Sequence, residues 1–326
     1  MTTLSPTKLS RRLVLSAAAL LTLAAPAFAQ QLKEIRVDWA TYSPLSLVLK
    51  EKKLLEKEFA ADGIAIRWVF SAGSNKALEF LNAGSLDFGS TAGAAALIGK
   101  INGNPIKSIG LYSRPEWTAL VTRPDTGITR IADLKGKSVA VTRGTDPHIF
   151  LVRALDSAGL TEKDVRLVLL QHPDGKTALI RKDVDAWAGL DPIMAQAEVE
   201  DGAKLFYRNA AANTWGVLNT REEFAKQHPG IVRRVNQVYE EARQWALQNK
   251  VELTKLLVAE TKLSEAVIAK QLERTDLTNA AIDGKVAETI QEAGLALQKA
   301  GVIKPDVDVK AAVASLVDTS FAPKGQ

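Results

Sequence analysis

The chain has 326 residues, 46% of them apolar and 24% charged, with a formal net charge of +5, three His and no Cys. Such a length holds two lobes of ordinary size with ample core, and the lack of Cys excludes disulfides and thiolate metal sites, so stability rests on packing. Lys8, Arg11 and Arg12 supply three of the 42 basic residues; without them 39 face 37 acids, a balance of about +2 that gives no warrant for nucleic-acid binding.

Residues 1–29 are predicted to be a cleaved export signal. Their basic start holds no acid, the apolar run from Leu13 to Ala25 is too short to span a bilayer, and Ala27-Phe28-Ala29 is a small-x-small cleavage site. Ser10-Arg11-Arg12-Leu13-Val14-Leu15 resembles a twin-arginine signal, but paired basic residues are also common in ordinary secretory signals, so both routes stay open. No later segment is apolar and long enough to cross a membrane.

Beyond the signal, Ile35 to Trp39 alternates as a strand, and from Pro44 the run L-S-L-V-L-K-E-K-K-L-L-E-K-E-F predicts one amphipathic helix ending before Asp62-Gly63. Ile64 to Phe70 is the next strand, Ser71-Ala72-Gly73-Ser74 caps a helix through Leu78 and Leu81, Leu86 to Gly89 is the third strand, and a helix runs from Thr91 to Ile101. Ile106 to Tyr112 and Thr118 to Thr122 are strands flanking a first crossing between lobes. The second lobe follows as strand Ser138 to Val141, helix Pro147 to Ala158, strand Val165 to Leu170, a helix from Asp174, strand Val184 to Trp187, a helix from Pro192 and strand Leu205 to Arg208. Trp215 to Asn219 is the return crossing, and from Arg221 onward the pattern is helical. These elements divide the chain into residues 30–117 with 216–326 as one lobe and 118–215 as the other.

The same phrase occurs twice. Val37 to Pro44, V-D-W-A-T-Y-S-P, aligns without a gap on Ala140 to Pro147, A-V-T-R-G-T-D-P, each a strand, a polar turn and an N-cap-Pro pair. Likewise Leu86-Asp87-Phe88 corresponds to Val184-Asp185-Ala186, with Thr91-Ala92-Gly93 and Asp191-Pro192 as equivalent helix starts. Two copies of one grammar imply two similar α/β lobes whose helix N-termini face a common cleft.

Constellations for catalysis are missing. No two of His148, His172 and His228 stand at metal-ligand spacing, and there is no G-x-S-x-G, phosphate loop or G-x-G-x-x-G after a strand, so neither a metal, a cofactor nor an enzymatic role is expected. The polar turns instead suit a compact anion, because first-turn N–H groups have no intrahelical partner and the helix dipole favours negative charge there. Candidate contacts are Tyr42, Ser43, Ser74, Asn75, Thr91, Ala92, Gly144 and Thr145, although each taken alone is equally an ordinary cap. Trp39, Trp117, Trp187 and Trp215, at strand ends or crossings, are either aromatic walls for an organic ligand or core residues. His148 in a first turn is either an anion donor or a solvated side chain, and Asp191 is explained as a cap.

G-S-L-D-F-G-S-T from Gly84, A-D-L-K-G-K-S-V-A-V from Ala132, R-A-L-x-x-A-G-L from Arg153 and D-V-D-A-W-A-G-L-D-P from Asp183 resemble the substrate-binding proteins of ABC transporters for aliphatic sulfonates, a group near the taurine and nitrate binders. The resemblance implies an α/β, two-lobed type II periplasmic-binding-protein fold with a cleft between lobes and C-terminal helices, monomeric and periplasmic. It further implies capture of a small organic anion, an alkyl or aryl sulfonate, for delivery to a membrane permease driven by an ATPase. Taurine, nitrate or thiamine-pyrimidine-precursor binding, a sensor subunit and an enzyme on the same scaffold are the alternatives. The resemblance also implies that the sulfonate meets Tyr42-Ser43, Ser74-Asn75, Thr91-Ala92 and Gly144-Thr145. Asp146-Pro147 departs from the family's small hydroxyl residues. A carboxylate beside the anion repels it, so either Asp146 turns into its cap or the ligand carries an amine or another donor that it meets.

Overall fold

A computed structural model describes residues 32–278 and 282–323; the export signal expected over residues 1–29 lies outside them. The first lobe opens with β1 (Glu34–Trp39), α1 (Pro44–Glu51), α2 (Leu54–Phe59), β2 (Ala65–Phe70), α3 (Ser74–Asn82), β3 (Phe88–Ala92), α4 (Gly93–Ile101) and β4 (Ile106–Pro115). The second comprises β5 (Thr118–Thr122), β6 (Ser138–Val141), α5 (Asp146–Ser157), β7 (Arg166–Leu169), α6 (His172–Ile180), β8 (Ala186–Leu190), α7 (Ile193–Val199) and β9 (Lys204–Tyr207). The chain returns with β10 (Gly216–Arg221) and ends in α8 (Glu222–Gln227), α9 (Pro229–Gln248), α10 (Lys250–Thr261), α11 (Glu265–Glu273), the two-residue β11 (Thr275–Asp276), α12 (Gly284–Lys299) and α13 (Val309–Leu316).

Two sheets result, ordered β11-β4-β10-β3-β1-β2 and β7-β6-β8-β5-β9. They obey one plan. In the first, β2, β1 and β3 are parallel, and β10 then β4 continue antiparallel; in the second, β7, β6 and β8 are parallel, and β5 then β9 continue antiparallel. The repeated phrase of the sequence therefore occupies equivalent places, since β1 and β6 are the middle strands of the two parallel triplets. Between the sheets the chain passes once from β4 to β5 and once from β9 to β10.

Four elements depart from expectation. The helix foreseen over residues 44–59 breaks at Lys53, which is left-handed with φ 52°; α1 is buried from Pro44 to Leu49, whereas α2 buries only Leu55 and Phe59, so one straight rod does not serve both. Thr91 and Ala92 belong to β3 and not to a helix, because antiparallel pairing of Val217 with Thr91 and Gly216 with Ala92 prolongs the strand. The strand expected at residues 184–187 runs instead over Ala186–Leu190, pairing with β5 through Gly189 and Leu190. Thr275 and Asp276 interrupt the helical C-terminal region by pairing with Pro115 and Arg114.

Trp187 is the largest side chain of the second lobe's core, fully buried among Val121, Ala140, Leu179 and Met194. Its indole lies under α6, and a Cβ on Gly175 would stand 2.6 Å from Nε1. Changing Gly175→Ala gains about 1 kcal/mol of helix propensity but forces an overpacked contact costing about 1–3 kcal/mol. A net loss of up to about 2 kcal/mol in urea unfolding is expected, and a gain in stability would show that α6 does not seat on Trp187 this closely.

Candidate functional site

The strand-end turns of the two lobes meet along a seam. On the side of the edge strands β2 and β7, Gly73 precedes α3 with φ 172°, ordinary extended backbone. Ser74 Oγ accepts from Ala92 N at 3.0 Å, fastening this turn to the end of β3. Opposite it lie Gly144, left-handed with φ 78°, and the ring of His172. A Cβ on Gly144 would be 3.8 Å from Asn75 Cβ, and one on Gly73 would be 3.1 Å from His172 Nε2, so these turns close on each other with no room for a side chain at residue 73.

On the side of the crossings the centre is Asp146. Its Oδ2 accepts from Trp117 Nε1 at 2.7 Å and from Thr214 N at 3.0 Å, and its Oδ1 accepts from Thr214 Oγ1 at 2.6 Å. Trp117 lies on the outgoing crossing and Thr214 on the returning one. Asp146 therefore neither caps α5, whose N-cap is Thr145, nor waits for an amine: its lone pairs are taken by the two crossings. Burial pushes this carboxyl above its ordinary range, against the pull of these donors. Trp117 meets Tyr42 edge-on with ring centroids 5.9 Å apart, and its carbonyl accepts from Asp191 N.

Asp191 and Arg274 add a second tie between lobes. Asp191 sits one residue before the N-cap Pro192 and accepts from Ala195 N at 2.9 Å. Arg274, just after α11, brings Nη1 to 3.4 Å from Asp191 Oδ1 and pairs through Nη2 with Glu198 on α7. Its carbonyl accepts from Glu116 N in the outgoing crossing.

Of the residues singled out in the sequence, Tyr42, Ser43, Ser74, Asn75, Ala92, Gly144, Thr145, Asp146 and Asp191 stand at these strand-end turns. Ser43 Oγ is buried without a hydrogen-bond partner. Thr145 Oγ1 is spent on Thr142 O, Tyr42 OH on Ser90 O, and Thr91 on Ala92 O and Asn219 Nδ2. The start of α4 is also occupied, Gly93 N donating to Trp215 O and Ala94 N to Thr214 Oγ1. Three residues are placed differently. His148 turns to Glu162, with Nε2 2.9 Å from Oε1; Trp187 belongs to the core; and the half-buried Trp215 is covered by the Arg114 guanidinium, 5.2 Å from its centroid.

Among the described residues no group of three or more His, Asp or Glu is arranged to hold a metal ion, and no helix is long and apolar enough to cross a membrane.

Residues 58–252 match the NMT1/THI5-like family, three-fifths of the chain. The chain belongs to this family. An aliphatic sulfonates-binding protein of Bacillus subtilis, so named, is 28% identical over 90% of this chain and 89% of its own length. The crystal structure of the periplasmic aliphatic sulphonate-binding protein SsuA of Escherichia coli superposes with a TM-score of 0.73 at 25% identity, covering 85% of this chain and 91% of that one. The fold is also that of the alkanesulfonate-binding protein SsuA of Xanthomonas axonopodis pv. citri bound to MOPS, at TM-score 0.79 and 22% identity over 87% of this chain and 98% of that one. A 4-amino-5-hydroxymethyl-2-methylpyrimidine phosphate synthase of Uromyces fabae shares 31% identity over 47% of this chain and 44% of its own length.

Sequence reasoning singled out Trp117 only as an aromatic wall and missed Thr214, Arg274 and His172. Only His172 carried a local signal, the His-Pro pair that opens α6. The others depend on pairing across distant segments.

Beside the seam, Asp38 at the end of β1 accepts from Ser90 N at 2.9 Å and from Ser90 Oγ, and burial pushes its carboxyl up to about 7. Because the folded value lies above the unfolded one, the folded state binds the extra proton, and stability falls as pH rises from about 4 through 7. Thermal unfolding is expected to show a lower melting temperature at pH 8 than at pH 5.5, with Asp38→Asn flattening that slope; an unchanged slope in the variant would assign the effect elsewhere.

Proposed function

We propose that this chain is the exported solute-binding component of an ABC importer, and that it captures a small organic anion, an aliphatic or aryl sulfonate, between its lobes. The observation that carries the reading is the buried, unpartnered hydroxyl of Ser43 at the opening of α1, on the seam where Ser74-Asn75 and Gly144-Thr145 begin the neighbouring helices. First-turn N–H groups and hydroxyls are neutral donors, which suit an anion that never titrates near neutral pH. The names of the relatives favour a sulfonate over other anions of similar shape.

Binding by closure follows from the arrangement. A ligand touching both lobes stabilises the closed form by its differential affinity for that form, and the closed shape is what a membrane permease would receive. The protein then acts as a monomer in the periplasm. Two of the titratable groups singled out in the sequence are occupied elsewhere, Asp146 by the crossings and His148 by Glu162.

The test is a titration of the mature protein, unfolded and refolded to strip ligand, followed by tryptophan fluorescence, to which Trp117 contributes from between the lobes. Alkanesulfonates of increasing length are expected to saturate while sulfate and nitrate do not, with affinity flat between roughly pH 6 and 8. Binding of a pyrimidine precursor alone, or turnover of any bound ligand, would defeat the sulfonate reading. Gly73→Ala supplies an independent check. Its Cβ would be 2.8 Å from Asn75 Oδ1 and 3.1 Å from His172 Nε2, and its backbone is unstrained. Sulfonate affinity is expected to fall about tenfold or more, roughly 1.4 kcal/mol, at an unchanged melting temperature; unchanged affinity would mean that closure does not bring these turns together.

A further inference from the structure

His172 is 2% exposed, and its Nε2 has no hydrogen-bond partner. The state of the ring follows from its neighbour. Thr142 Oγ1 donates its one proton to Leu170 O at 2.7 Å, so toward His172 Nδ1, 3.2 Å away, it accepts. Nδ1 therefore carries the ring proton. Burial holds the imidazole neutral, its proton affinity pushed down to about 3. Nε2 is left as a bare lone pair at the seam.

A second acceptor lies beside it. Asn75 Oδ1, from the other lobe, is also buried and unpartnered, and both atoms approach the same point at Gly73. A sulfonate oxygen, itself only an acceptor, gains nothing from either, whereas a buried acceptor left unmade costs about 1–3 kcal/mol. The place of this pair in the fold matters too. The turns after β2 and β7 follow the edge strands, whereas the crossings belong to β4, β5, β9 and β10 at the other end of the sheets.

We infer that His172 and Asn75 read the far end of the ligand, and that the preferred substrate is a sulfonate bearing a hydrogen-bond donor, an ammonium or a hydroxyl, on its alkyl chain. This rests on the sulfonate reading above and narrows it. The anionic head lies toward Ser43 and the helix openings; the donor end lies in the seam, where one N–H or O–H group satisfies Nε2 and Asn75 Oδ1 supports it. His172 is thus a specificity-determining residue.

Three ligands of equal length separate the possibilities: 2-aminoethanesulfonate, 2-hydroxyethanesulfonate and 1-propanesulfonate, which puts a methyl where the others carry a donor. Calorimetric titration at pH 7.5 is expected to give the wild type about tenfold tighter binding of the donor-bearing ligands. His172→Phe should bring that ratio to about one, and His172→Gln, which restores an acceptor, should recover part of it. Nitrogen NMR of the wild-type imidazole should show Nε2 unprotonated. Equal affinities for all three ligands, an equal loss for all three in His172→Phe, or a protonated Nε2 would each overturn the assignment. If the wild type binds none of the three nor any longer sulfonate, the sulfonate reading itself fails, and this inference with it.

Discussion

One buried carboxylate organises the junction of the lobes. A carboxylate taken out of water is costly unless its lone pairs are met, and Asp146 meets its requirement with donors from two segments far apart in sequence, Trp117 and Thr214. Both crossings are thereby tied to the first turn of α5. Thr214 passes the tie onward, its hydroxyl accepting from Ala94 N at 3.2 Å, so the opening of α4 in the first lobe is fixed by the same group. Among the described residues its donors are neutral, so they fix its direction without supplying a counter-charge.

The second tie is of another kind. Arg274 lies between Asp191 and Glu198 with its side chain almost wholly buried, and a buried ion pair contributes little net stability while strongly penalising any state that separates its members. It therefore favours one arrangement of α11 against α7 over others. Ser264 Oγ, donating to Glu200 at 2.7 Å, extends the same contact at the surface. The two ties join the lobes on the crossing side, while on the opposite side small residues, Gly73 and Gly144, approach His172 and Asn75 closely.

Much of this was legible in the residues. The alignment of Val37 to Pro44 on Ala140 to Pro147 identified the two middle strands, and the Ser-Pro and Asp-Pro pairs marked where α1 and α5 begin. What failed did so for reasons of long-range pairing. Thr91 and Ala92 looked like a helix start because Ala and Gly follow them, yet β10, more than a hundred residues away, draws them into a strand. Trp187 at a strand end is as consistent with a ligand wall as with a core, and only the placement of Gly175 on α6 distinguishes the two. Asp146 was recognised as anomalous from sequence, but its partners were invisible, since nothing local links it to residues 117 and 214.

The position of β10 has a consequence for how the molecule is made. This strand lies inside the first sheet, between β3 and β4, yet the whole second lobe precedes it in the chain. During synthesis the second lobe, continuous from β5 to β9, has every strand it needs as soon as Tyr207 emerges, whereas the first lobe must wait with β3 and β4 unjoined. The earlier-made lobe is thus the later to fold. An early-made but incomplete sheet exposes unpaired strand edges, and those of β3 and β4 stay open until residues 216–221 arrive and close the gap.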